Sequence, residues 1–159
     1  MGLLKYTTTV TTAKTISDLF SMLQASGSDA IMLLYDEHKE PCGLSFSLQT
    51  PKGPLSFKMS VDTTRVKQVL TNQHRLRQVP VATLRDGQPA RIAWRIVHDW
   101  LEVQLALIQI GLVTLDQVML PYAVTQDGRT LFDLVQERGG VGKMLGAGKG
   151  TEITMEEGR

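Results

Sequence analysis

Residues 74–95 read HRLRQVPVATLRDGQPARIAWR, with arginines at 75, 77, 85, 91 and 95 and one acid, Asp86, among them. Guanidinium groups are planar forks of N–H donors that match phosphate oxygens, so a cluster of them suggests a polyanionic partner. The wider span 50–98 adds Lys52, Lys58, Arg65 and Lys67, making nine basic side chains against the two acids Asp62 and Asp86. The rest of the chain carries eight basic and fourteen acidic residues, so a net charge of +1 hides a strongly polarised distribution. Such asymmetry favours an anionic partner for the basic span. Arg95 stands four residues before Asp99 and is expected to pair with it, with Arg91 on the same stripe. Arg65, Lys67, Arg75, Arg77 and Arg85 have no acid at helical pairing distance. The candidate nucleic-acid-binding set is therefore Lys52, Lys58, Arg65, Lys67, Arg75, Arg77, Arg85 and Arg91.

Other chemistries fit less well. The segment GAGKGT near the C-terminus lacks the glycine five positions before the Gly-Lys pair, and Gly150 stands where a phosphate loop needs Ser or Thr. His98, Asp99 and Glu102 share a helix face, but a metal centre wants three or four converging ligands, and His38, His74 and Cys42 lie in unrelated contexts. They read as a surface stripe in which His98 faces Glu102. Cys42 follows a proline in a turn, with no partner motif for a nucleophile. Trp94 and Trp100 sit six apart on an apolar helix, as core residues do. The expectation is no catalytic residue, no cofactor, no metal and no enzymatic activity.

The elements that must position the basic residues follow from periodicity. KYTTTV is β-branched and strand-like. Thr15 and Asp18 resemble a capping box, before Ile16, Leu19, Phe20 and Leu23 at helical spacing and Gly27 at the helix end. DAIMLLY (29–35) reads as a buried strand. GLSFSLQT and PLSFKMSV alternate apolar and polar residues across PKGP, which predicts an antiparallel hairpin with one buried face. The spacing then predicts a helix over 62–78 with Val66, Val69 and Leu70 inward, capped by Asp62 or Thr63. A long helix over 89–111 follows, with Pro89 in its first turn. Its polar positions 91, 95, 98, 99, 102 and 109 form a stripe too narrow for a lone surface helix. The hairpin is expected to pack on this helix, burying Phe46, Phe57, Trp94 and Ile96. TLDQ (114–117) begins a short helix stopped at Pro121, and RTLFDLVQERGG gives another ended by Gly139. The fold class is α+β, an antiparallel sheet of about four strands in the order β-α-β-β-β, with three to four C-terminal helices packed on one face.

At 159 residues and 42% apolar composition, the chain is expected to form one domain over 1–138, with a Gly-rich flexible tail over 139–159. The single Cys42, the lack of a signal-peptide pattern and the absence of a membrane-length apolar run suit a cytoplasmic protein.

LSFSLQTPKGPLSFKM, RIAWRIVHDWLEVQLALIQIGLVTLDQVMLPY and DGRTLFDLV together resemble a family of small uncharacterised proteins found in phages, prophages and related metagenomes. The likeness spans roughly residues 5–137, and the Trp-Arg…Asp-Trp helix and the Leu-Pro-Tyr stop are its most specific parts. It brings no catalytic residues. It implies a host-cell setting in which the chain handles nucleic acid or interferes with a host process. The expected function is non-catalytic binding of single-stranded DNA or RNA through residues 52–95, by a homo-oligomer. The alternative is a protein-interaction module that binds a host or defence protein.

Overall fold

A computed structural model describes residues 1–146. The N-terminal segment is not a strand. Residues 1–11 run as turns and extended chain strapped across later helices: Leu3 N–H donates to Gln73 Oε1 at 2.9 Å, and Gln88 Nε2 donates to the carbonyls of Tyr6 and Thr8. The threonine run had strand propensity but found no strand to pair with. Helix α1 spans Thr12–Ala25, starting four residues earlier than expected, because the Thr11 hydroxyl caps the Lys14 amide. Thr15, expected as the cap, lies fully buried inside the helix. At the other end Gly27 N–H donates to Gln24 and Ser28 N–H to Leu23, closing a Schellman motif with Gly27 at φ +87°.

Three strands follow in an antiparallel sheet of order β1-β2-β3: β1 Ile31–Tyr35, β2 Pro41–Thr50 and β3 Gly53–Ser60. The topology is thus α-β-β-β-α, with one strand fewer than expected and the helix first. The hairpin register pairs Leu44 with Met59, Phe46 with Phe57 and Leu48 with Leu55. Period-two alternation puts these on one face, where all but Leu55 are buried. Phe46 and Phe57 stack tilted at 5.7 Å between centroids. Ala123 and Val124 add a short bridge to the outer edge of β3, with Val124 N–H on the Ser56 carbonyl at 2.8 Å.

Helix α2, Thr63–Arg75, is capped by Asp62, which accepts from the Arg65 amide at 3.1 Å. It buries Leu70, while Val69, expected inward, is exposed. A 3₁₀ turn at Val81–Leu84 leads to α3, Gln88–Gln109, which starts at Gly87 with Pro89 in its first turn. Trp94 and Leu101 of α3 join Leu19 and Leu23 of α1 and the hairpin's Phe46 and Phe57 in one core, as expected. Ile92, not Ile96, is the fully buried isoleucine, and Ile96 is half-buried. Beyond Leu101 one face of the helix stays packed on the core through Leu105, while Val103 and the C-cap residue Ile110 are 54% and 66% exposed.

Both short helices carry full capping boxes: Thr114 with Gln117 for α4, Leu115–Met119, and Thr130 with Asp133 for α5, Leu131–Glu137. Gly139 ends α5 at φ +101°, and α6, Gly140–Met144, occupies the start of what reads from the sequence as a flexible tail. Residues 147–159 of that tail lie outside the described residues. No helix among those described is long and apolar enough to cross a membrane.

Candidate functional site

The structure distributes the eight candidate residues over three places. Lys52 sits exposed in the β2–β3 turn, and Lys58 projects from the polar face of β3 opposite Ser45. Lys58 shares its field with Asp133, whose carboxyl the Thr130 hydroxyl holds below the usual range. Arg65 and Lys67 lie on α2, Arg75 ends it, and Arg77 follows. Arg85 and Arg91 flank the start of α3, where Arg91 is half-buried and its guanidinium reaches Gln88 Oε1 at 3.4 Å.

Arg65 corrects one expectation. Its Nε lies 3.1 Å from Asp62, the cap of its own helix, an i, i+3 pair hidden when Asp62 is considered only as a cap. Arg95 does pair with Asp99, at 3.2 Å. Lys67, Arg75, Arg77 and Arg85 are exposed and form no salt bridge among the described residues, as is also true of Lys39, Lys52, Lys58, Arg138 and Lys143, whereas Lys5, Lys14, Arg65, Arg95 and Arg129 are paired.

Arg77 also holds an unusual backbone. Gln78 N–H donates to Gln73 and Arg77 N–H to His74, so α2 ends in a second Schellman motif, but with arginine at φ +56° where glycine is the common choice. A side chain in this left-handed position costs roughly 1–2 kcal/mol. Lys5 and Lys39 hold the same left-handed backbone, each at φ +62°, so the conformation is not peculiar to the candidate residues.

Lys67 and Arg85 overlook a cleft of about 1210 Å³. Its walls come from five separated segments: α1, the Leu33–Tyr35 end of β1, the β1–β2 turn, the start of α2 and the start of α3. No sequence motif announced it, because its parts converge only on folding. Sequence reasoning singled out Lys67 and Arg85 but not the hydroxyls and helix ends between them. A smaller pocket of about 400 Å³ lies beneath the N-terminal strap, between Tyr6–Thr9 and Arg91.

On the far side of α3, Asp99 is a hub. Lys5 Nζ lies at 2.7 Å, Arg95 Nε at 3.2 Å and His98 Nδ1 at 3.0 Å. Burial pushes its carboxyl up, but the hydrogen bonds from Lys5 and His98 and the charge of Arg95 outweigh this and hold it below the ordinary range. His98 is buried at 7% exposure, not on a surface stripe, and is 4.0 Å from Glu102. His98, Asp99 and Glu102 could offer a cation three ligand atoms within 4.8 Å of one another. Two cationic side chains already compensate Asp99 there, so the cluster is an ion-pair network in its own right.

No family model, curated protein or solved structure matches the chain.

Proposed function

We propose that the chain is a non-catalytic nucleic-acid-binding protein that grips the phosphate backbone of single-stranded DNA or RNA. The observation that carries this reading is the set of four exposed cations without internal partners, Lys67, Arg75, Arg77 and Arg85, on α2 and the connection to α3. From Thr63 to Arg75 the helix rises about 18 Å, enough to set several successive phosphates against one basic ridge. Lys52, Lys58, Arg65 and Arg91 add to the field without belonging to the ridge.

A gel-shift series with single-stranded and duplex oligonucleotides across salt concentrations tests this. Replacing Arg75, Arg77 and Arg85 together by alanine should weaken binding on every sequence alike. It should also flatten the log–log salt dependence by about 2 units on single strands, since each lost phosphate contact removes about 0.7. An unchanged slope, or no binding by wild type at low salt, refutes the proposal.

A second reading, protein interaction, has its own support. Val103 of α3, Ile110 at its C-cap and Leu112 just beyond are 54%, 66% and 69% exposed. Clustered exposed apolar residues mark interaction surfaces. This face suits a homo-oligomer, or a host protein bound in its place.

A further inference from the structure

We propose that the free edge of β1 takes an extended segment of a partner protein as a fourth strand, with apolar residues at alternate positions and basic residues at its ends. Among the described residues β2 is the only sheet neighbour of β1. Ser47 N–H donates to the Ala30 carbonyl at 2.9 Å. Bonded pairs alternate along an antiparallel ladder, so Met32 bonds to Ser45 and Leu34 to Gly43. The N–H and C=O of Ile31 and Leu33 therefore point away from β2, and no backbone group among the described residues meets them. Proteins blunt such an edge with lysine, proline or a covering segment. At the opposite edge β3 has all three: Lys58, Pro54, and Val124, whose N–H reaches the Ser56 carbonyl. Ile31–Tyr35 has no charge and no proline, and its one irregularity lies at Leu34/Tyr35, past these groups.

The space beside this edge has the dimensions of a strand. On α1, Leu19 and Leu23 are sealed in the core, while Ile16 and Phe20 are half-buried and line a groove with Leu33 of β1. Along α1 the groove runs from Ala13 to Gln24, about 16 Å at 1.5 Å per residue. A strand of five residues is about 17 Å long. An added strand bonded to Ile31 and Leu33 sets its alternate side chains on the same face as theirs, against Ile16 and Phe20. Charge selects the occupant. Asp29 precedes β1, and Asp36, Glu37 and Glu40 follow it, against Lys39, a balance of −3 with His38 neutral. None of these acids pairs with lysine or arginine among the described residues; Asp29 accepts from Gln49 Nε2 at 2.6 Å, and His38 lies 3.5 Å from Glu37. This field disfavours a second β1, whose two-fold pairing about Leu33 sets Asp29 against Glu37, and it attracts a segment with basic ends.

Amide hydrogen exchange of the full chain, followed residue by residue by NMR at two protein concentrations, tests the site. In the free chain the Ile31 and Leu33 amides should exchange at least about tenfold faster than that of Met32, which β2 holds. The probe is the end-capped peptide Lys-Val-Thr-Val-Thr-Val-Lys. At about 1 mM it should slow exchange at Ile31 and Leu33 about fivefold or more, as a Kd near or below about 0.25 mM gives. The same peptide N-methylated at its valines keeps the side chains and charges but loses the donors that face β1, and it should leave both amides unchanged. Replacing its lysines by glutamate should weaken binding at low salt. Glu37→Lys/Glu40→Lys should reverse that preference; both side chains are exposed and lie outside the ladder, so the fold is kept. The proposal is overturned if the Ile31 and Leu33 amides are already protected in the free chain. Protection independent of concentration then assigns the edge to the chain's own C-terminal residues, and protection that grows with concentration assigns it to a second copy. It is overturned equally if the lysine peptide protects neither amide at millimolar concentration, or if the N-methylated peptide protects them as well.

Discussion

Arg77 is the residue at which stability and binding are expected to part company. Glycine would relieve its φ of +56°, so Arg77→Gly should raise stability by about 1 kcal/mol. The same change should weaken strand binding and reduce its salt dependence. Urea unfolding beside a binding titration reads both, and a destabilised variant would show that the side chain packs rather than reaches outward. Asp99 is the corresponding residue for pH. Its carboxyl is held below the ordinary value of 3.8, so its contribution is fully present above that value and is lost as pH falls through the lowered one. Asp99→Asn should therefore be less stable than wild type at neutral pH. The two unfolding curves should converge in acid, and a constant gap from pH 7 to below pH 3 would contradict this. Of these features, the Arg95–Asp99 pair was legible from spacing alone. Lys5 was not, because it reaches Asp99 from a segment that reads as a strand.

The elements divide into those that local rules determine and those that partners determine. The β2–β3 hairpin, the long helix and the Thr114–Gln117 capping box follow from periodicity and cap chemistry within a few residues, and the structure places them as expected, whereas the Thr130–Asp133 box was not anticipated. The N-terminal segment follows from Gln73 and Gln88, more than sixty positions away, which no propensity could reveal. The start of α1 failed differently: several threonines compete for the cap, and Thr11 wins over Thr15 without the acid three residues on that marks a capping box. Gly43 shows how tightly the sheet is built. A Cβ there would come within 2.6 Å of the Met59 carbonyl oxygen, a backbone atom with no freedom to retreat. Gly43→Ala should cost about 1–3 kcal/mol, the range for overpacked interiors, by prying β3 from β2. A melting temperature equal to wild type would mean the pairing at Ser60 is looser than the register implies.

At the scale of the whole molecule, α3 serves two environments. Its first half is walled in by α1, α2 and the hairpin, and its second half presents Val103 and Ile110 outward. The narrow polar stripe signalled cover on most sides, and beyond Leu101 that cover is one-sided, with Leu105 on the core and Val103 turned outward. We predict concentration-dependent self-association through this half, measured by light scattering. Ile110→Glu should shift the equilibrium to monomer without lowering the melting temperature, because the residue is already exposed. A wild type that stays monomeric at all concentrations would leave the face to a different protein. The cleft, like this face, belongs to the whole molecule and to no single stretch of sequence, and so only the identities of its rim cations could be anticipated.

The order of elements along the chain has a consequence for synthesis. The apolar face of the hairpin is complete once Ser60 has been added, yet the helix that covers it ends at Gln109. At a translation rate of about 5–20 residues per second, the ribosome needs roughly 2–10 s to supply that cover. Through that interval Phe46 and Phe57 have only α1 as shelter, and α1 itself docks chiefly against the missing helix. The nascent chain is thus most open to chaperone capture in this window, when its sheet exists and its core does not.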